Sequence, residues 1–189
     1  MLSAATVFDG PEVTLPQMLD ARERRASEQR RLLESARPGE TLLCVTLGVP
    51  GPVKTSEALE WAFDQIVVAA RLALGEAPVS SSERLGGPTG PELLMLVSMD
   101  ALGLKRSMVH IEEEHPLGRL ADIDVVGRAG AMPRPLSRLD LGLAPRNCLV
   151  CGREAKLCAR SRAHGVPEMQ RKIASIIEEG GYEDRGKED

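Results

Sequence analysis

Aromatic side chains are almost missing from this 189-residue chain: Phe8, Trp61, Phe63 and Tyr182 are all it has. Leu, Ala and Val must therefore fill the interior, in a chain long enough to bury a core without staples. Lysine is scarce too, at positions 54, 105, 156, 172 and 187, so arginine carries most of the positive charge. Arginine favours planar, forked recognition of phosphate and carboxylate. A net positive charge is lacking: 24 Lys and Arg stand against 28 Asp and Glu. That balance argues against broad nucleic-acid binding. Long apolar runs are absent. Leu93–Val97 is among the longest, and it is far too short to span a bilayer. Asp9, Gly10, Pro11 and Glu12 interrupt the stretch where a secretory segment would need apolar residues, so none is expected. Cysteine is sparse, with three of four within Cys148–Cys158. That clustering reads as a reduced, cytoplasmic pattern and not as a disulfide framework.

What is present orders into elements. Thr14, Pro16 and Gln17 form a helix start with a capping box, and the helix is expected to run to Ala36. It carries Arg22, Arg24, Arg25, Arg30 and Arg31, either as a solvated face or as a docking surface for an acidic partner. Thr41–Leu47 reads as a strand before the Gly48–Pro52 connector. Ser56 caps a second helix whose apolar positions follow helical spacing to Gly75. Strands are expected at Val79–Leu85 and Glu92–Met99. A helix bearing Leu104, Met108 and Ile111 ends at His115-Pro116. Ala121–Val126 is expected as the last strand. The order β-α-β-β-α-β is that of an α+β, ferredoxin-like core, with an N-terminal helix and a C-terminal Cys-rich helical extension. The chain reads as a single domain, residues 1–189, with its core at about 14–177, a Cys/His-rich subregion at 148–164, and a disordered acidic tail at 178–189.

Three segments carry chemistry. In the first, Asp122 and Asp124 share one face of their strand while Ala121, Ile123 and Val125 share the other. Residues two apart on a strand are roughly 6.5–7 Å apart at Cα, close enough for both carboxylates to meet one Mg²⁺. Such an ion orients a polyphosphate and neutralises charge on a leaving group. Gly118 allows close backbone approach and Arg119 can clamp a phosphate. A strand with an apolar inner face and an acidic outer face also needs no metal. In the second segment, Cys148, Cys151, Cys158 and His164 have spacings that resemble a structural Zn²⁺ site. Its second half equally reads as a short amphipathic helix with Ala155, Cys158 and Ala159 turned inward. Arg153, Arg160 and Arg162 with His164 form an alternative phosphate-binding face. In the third, Lys54 and the helix start after it can meet an anion; a rigid Pro/Gly connector explains the same residues. His110 reads as a surface residue and Cys44 as a core residue.

These segments together resemble the apo-citrate lyase phosphoribosyl-dephospho-CoA transferases, the citrate lyase holo-[acyl-carrier protein] synthase family. The residues that carry the likeness are Pro50–Lys54, Pro88–Pro91, His115–Val125, Leu136–Arg138 with Leu141-Gly142, and Arg146–His164. The resemblance implies transfer of a phosphoribosyl-dephospho-CoA prosthetic group from its triphosphate precursor to a serine of the acyl carrier subunit of citrate lyase, with diphosphate leaving. It is nucleotidyltransferase-type chemistry. On it Asp122 and Asp124 are catalytic and hold Mg²⁺, Lys54, Gly118 and Arg119 meet phosphates, and Arg160, Arg162 and His164 bind substrate. The Arg-rich first helix would dock the acidic carrier. Two other functions compete: a non-catalytic, zinc-containing interaction module, and the same chemistry on another carrier protein. No nucleic-acid or membrane partner is expected.

Overall fold

The computed structural model describes residues 2–129 and 132–184. A short helix α1 (Ala4–Val7) precedes α2 (Leu15–Ser35). The expected capping box opens α2: Thr14 N donates to Gln17 Oε1 at 2.8 Å, and Thr14 Oγ1 accepts from Gln17 N at 3.5 Å. Then come β1 (Thr41–Leu47), α3 (Glu57–Leu74), β2 (Val79–Leu85), β3 (Glu92–Val97), α4 (Ala101–Glu114) and β4 (Ala121–Ala129). Ser56 caps α3 through Leu59 N, and Gly75 closes it at φ 57°. A short helix α5 (Ala155–Ser161) stands where the cysteine segment offered one, with Cys158 buried but Ala159 exposed, and beyond the expected elements lie β5 (Met132–Leu136) and α6 (Val166–Glu179).

The five strands form one sheet in the order β2-β3-β1-β4-β5, and every neighbouring pair is antiparallel. Helices cover both faces. On one face Leu43, Val45, Met95, Ile123 and Val125 pack in a cluster with Phe63 and Ile66 of α3, Met108 of α4, and Ile173 and Ile177 of α6. On the other face α2 lays Leu32 and Leu33 on Leu42, Cys44, Leu94, Leu96 and Val126. Burying a side chain such as Leu32 contributes about 1.5–3 kcal/mol. This two-sided cover explains why β1 and β3 are apolar runs without alternation.

The α2 face changes character along the strands. Leu42 lies between Leu96 and Val126, and Cys44 between Leu94 and Asp124. Farther along, Thr46 pairs with Asp122, and Glu92 begins β3. One end of this face is therefore greasy and anchors α2. The other is polar, and α2 stands over it without sealing it.

Several boundaries differ from expectation. The last strand is β5, not β4. Pro133 and Pro135 disguise it, yet proline is tolerated on an edge strand that needs few donors. The C-terminal extension is more than a Cys-rich helix, since α6 follows it and buries Ile173, Ala174, Ile176 and Ile177. The core also reaches both ends: Val7 is fully buried, and Leu2 N donates to Glu178 Oε1 at 2.8 Å. The disordered tail expected from residue 178 is corrected for Glu178–Asp184: Glu178 and Glu179 close α6, and the Tyr182 ring lies 5.3 Å from that of Trp61. The rest of that tail, residues 185–189, lies outside the described residues.

Candidate functional site

Strand alternation puts Asp122 and Asp124 on the α2 face, both exposed, with Ala121, Ile123 and Val125 buried behind them. Asp122 lines a cleft of about 400 Å³ between α2, the 48–54 connector and the 89–92 turn. Asp124 lines an adjoining recess, and Arg22, Arg25 and Thr46 border both spaces. Crowding by surrounding protein, and then the like charge of Asp122, hold the Asp124 carboxyl above the usual carboxylate range.

Cations face these acids. Arg25 forks onto Glu92 at 2.6 and 2.9 Å, and the Glu92 side chain is almost wholly buried. Lys54 also lines the cleft; its Nζ donates to Val49 O at 2.5 Å. Burial and then the neighbouring charge of Arg22 lower the Lys54 ammonium from its ordinary value. Two mutually repelling cations in a cleft are arranged for an anion. The 89–92 turn reaches them through Gly90, at φ 98°, where a Cβ would meet Lys54 O at 2.9 Å. The Pro50–Lys54 and Pro88–Pro91 segments, far apart in sequence, thus close one wall together.

The strand carrying the aspartates is held from its outer edge. Pairing with β5 begins only at Val125, opposite Leu136, so the backbone before it needs other partners. Charged side chains supply them. Lys105 Nζ donates to Ile123 O at 2.8 Å, and Ile123 N donates to Glu112 Oε1 at 3.4 Å. Arg138 meets the other Glu112 oxygen at 2.7 Å. Arg146 donates to Ala121 O at 2.7 Å and to Arg119 O at 2.8 Å. Lys105 and Glu112 are each only 5% exposed, so these buried charges exist because the strand edge satisfies them. Arg119 and Gly118 belong to this support. Arg119 Nη2 donates to Asn147 O at 2.8 Å, and a Cβ on Gly118 would strike Ile111 O at 2.0 Å. Neither is among the residues lining the cleft.

The cysteine segment folds back on itself. Asn147 and Glu154 form a β-bridge around a turn containing Gly152 at φ 72°, and α5 follows. The candidate ligand atoms of Cys148, Cys151, Cys158 and His164 all lie within 4.8 Å of one another, and this group can hold a metal ion. Cys151 Sγ and Cys158 Sγ are 3.5 Å apart. Arg153 Nε lies 3.4 Å from Cys151 Sγ and holds that thiol down at about 5, a thiolate at neutral pH. Burial pushes Cys158 up. His164 Nδ1 lies 3.2 Å from Glu168 Oε2, while its Nε2 is buried without a partner. A carboxylate behind one ring nitrogen and a bare second nitrogen is the arrangement of a metal-ligating histidine. Of the other candidates, Arg162 lines the apolar cavity beside this cluster and Arg160 is exposed on α5. Cys44 lies apart, buried, with its thiol raised to about 12. His110 is exposed.

Sequence reasoning missed Arg22, Arg25 and Glu92 as cleft residues. The signal was the spacing of Met18, Arg22 and Arg25, which share one face of α2.

The family model described as apo-citrate lyase phosphoribosyl-dephospho-CoA transferase matches residues 13–180. The chain belongs to that family. A probable apo-citrate lyase phosphoribosyl-dephospho-CoA transferase of Streptococcus pyogenes is 41% identical over 172 residues, covering 91% of this chain and 89% of the relative. An apo-citrate lyase phosphoribosyl-dephospho-CoA transferase of Escherichia coli is 32% identical over 167 residues, 87% of this chain and 88% of the relative. A Haemophilus influenzae protein named CitXG is 37% identical over 172 residues, 90% of this chain but 36% of its own length. The matched span of the transferase family model takes in both the aspartate strand and the cysteine segment.

Proposed function

We propose that this chain joins phosphoribosyl-dephospho-CoA to a serine of the apo acyl carrier subunit of citrate lyase. The serine oxygen forms a phosphodiester with the phosphorus nearest the ribose of the triphosphate donor. The bond to the next phosphate breaks, diphosphate leaves with that bond's electrons, and the serine proton passes to a base. The observation that carries this reading is Asp122 facing Arg22, Arg25 and Lys54 in one cleft, with Asp124 beside Arg22 and Arg25 in the recess that adjoins it. Two carboxylates beside a cationic wall suit a charged phosphoryl group better than a neutral substrate.

Asp122 and Asp124 would hold Mg²⁺, a fit of hard oxygen donors to a hard cation. When bound, the ion supplies charge neutralisation at the transferring phosphate. Lys54 and Arg22 bind donor phosphates from the opposite wall. Arg25 is occupied by Glu92, which fixes its position. Gly118 and Arg119 set the strand entrance, so their role is positioning and not phosphate contact. Zn²⁺ is the ion that suits Cys148, Cys151, Cys158 and His164, because three soft thiolates and one imidazole match its tetrahedral preference. The element order and the strand order β2-β3-β1-β4 support a ferredoxin-like assignment for the core.

The carrier docks by charge. Arg24 and Arg30 are exposed on α2, next to the helix face that lines the cleft, and a carrier acidic around its serine complements them. Among the described residues no helix is long and apolar enough to cross a membrane. Free thiols and a mild negative charge support a cytoplasmic protein without a nucleic-acid partner. Substitution tests the proposal: Asp122→Asn should abolish diphosphate release while leaving the thermal unfolding curve unchanged. Full activity in that variant would take Asp122 out of the catalytic site, and a wild-type protein that releases no diphosphate would leave the non-catalytic interaction module as the better reading.

A further inference from the structure

A second cavity, of about 650 Å³, adjoins the phosphate-facing cleft and shares Leu149 and Met169 with it. Its character is different. Ala155, Ala159 and Val166 supply apolar walls, Cys148, Cys158 and His164 close the end that belongs to the cysteine cluster, and Arg162 is its one fixed positive charge. The cleft alone, at about 400 Å³, lies near the small end of the roughly 300–1,000 Å³ that holds drug-sized ligands. A donor with a nucleotide, a second ribose, several phosphates and a pantetheine chain is larger than that, and only part of it is charged.

We propose that the apolar cavity is the subsite for the uncharged pantetheine arm of the dephospho-CoA portion, an inference that rests on the transferase reading above. The phosphates stay by Arg22, Lys54 and the aspartates, and the arm passes over Leu149 and Met169 into the cavity. The chemistry matches along this path: methylenes and a branched dimethyl carbon meet alanine, valine and methionine, and water leaves apolar surface on both sides. Met169 adapts to a chain of irregular width. The cysteine turn has a place in this arrangement, because Leu149 sits between Cys148 and Cys151 and its position at the junction depends on that turn.

Dephospho-CoA and ADP carrying a methyl ester on its terminal phosphate have the same charge and differ by the arm, so titrating each into the full-length protein isolates it. The wild-type protein should bind dephospho-CoA roughly tenfold or more tighter than the ADP ester, the effect of burying a few methylenes. Ala159→Leu projects bulk into the cavity from an exposed position, where folding tolerates it. It should erase that preference and leave the affinity for the ADP ester unchanged. Ala155→Leu, on another part of the wall, should do the same, and Ala159→Ser should retain the preference. Equal affinity of wild type for the two ligands would overturn the proposal. So would a preference that survives both leucine variants, or a parallel loss of ADP-ester binding. Neither carrier nor turnover enters the titration. An inactive chain that still prefers dephospho-CoA upholds the subsite while the transferase reading fails.

Discussion

Asp122 and Asp124 leave one β-strand two residues apart, whereas Cys148, Cys151, Cys158 and His164 come from a turn, a short helix and the bend after it. The aspartates are held by a sheet that folds regardless of any ion. Ile123 between them is buried, and Lys105, Glu112 and Arg146 fix the outer backbone of their strand. The cysteine segment has little core of its own: Cys158 is buried, but Cys151, Gly152 and Arg153 are exposed. An ion at the aspartates adds chemistry to a finished scaffold. An ion at the cysteines adds structure to a segment that otherwise has a bridge, a turn and seven residues of helix.

The sharpest way to break this contrast is to remove one ligand from each region. Asp122→Asn should lower turnover by at least 10²–10³-fold, the order expected when charge stabilisation at a reacting group is lost. Its unfolding temperature should match wild type; a drop of several degrees would mean that the acids are structural. Cys151→Ser, or chelation, should take zinc content from one ion per chain to none by elemental analysis. Amide exchange should then rise across 146–165 and stay slow in β1 and β3. Zinc that persists in Cys151→Ser, or global unfolding in its place, would erase the distinction.

A smaller effect is expected at the strand edge. Lys105→Met leaves Ile123 O without its donor and should destabilise by about 1–3 kcal/mol. Turnover should fall more than donor binding does, because the aspartates shift and the cations do not. Unchanged turnover would remove Lys105 from the positioning role.

The pH response separates the regions further. With no divalent ion, the Asp124 carboxyl titrates above its ordinary value. Between the unfolded and folded pKa values the native state binds more protons, so this group's contribution to stability falls as pH rises. Divalent cation competes with the proton, so the acid limb of activity should move to lower pH as Mg²⁺ is raised. A limb that ignores Mg²⁺ and survives Asp124→Asn would assign it to another group. The smallest expected change is at the carrier surface. Arg24→Glu with Arg30→Glu should raise the KM for carrier several-fold and leave that for donor alone. Equal effects on both would dismiss the docking face.

Much of the fold was legible because short-range physics sets it. The Thr14–Gln17 box, the Ser56 cap and the stop at His115-Pro116 are local, and each appears where expected. The alternation that put Asp122 and Asp124 on one face is local too. What the sequence hid depends on tertiary position. β5 was masked by its prolines, and α6 lay beyond the segment that drew attention. The arginines of α2 looked like one solvated stripe. Only packing reveals that Arg22 and Arg25 turn towards the aspartates while Arg24 and Arg30 face out. Arg119 stands close to Asp122 in sequence, but its Nη2 donates to Asn147 O and it is not among the residues lining the cleft.

Intact mass of the apo acyl carrier, after incubation with this protein, the triphosphoribosyl-dephospho-CoA donor and Mg²⁺, tests the account most directly. It predicts a gain equal to one phosphoribosyl-dephospho-CoA group on a single serine, and no gain with Asp122→Asn. A carrier of unchanged mass beside folded wild-type protein, or the same gain with the Asp122 variant, would contradict it.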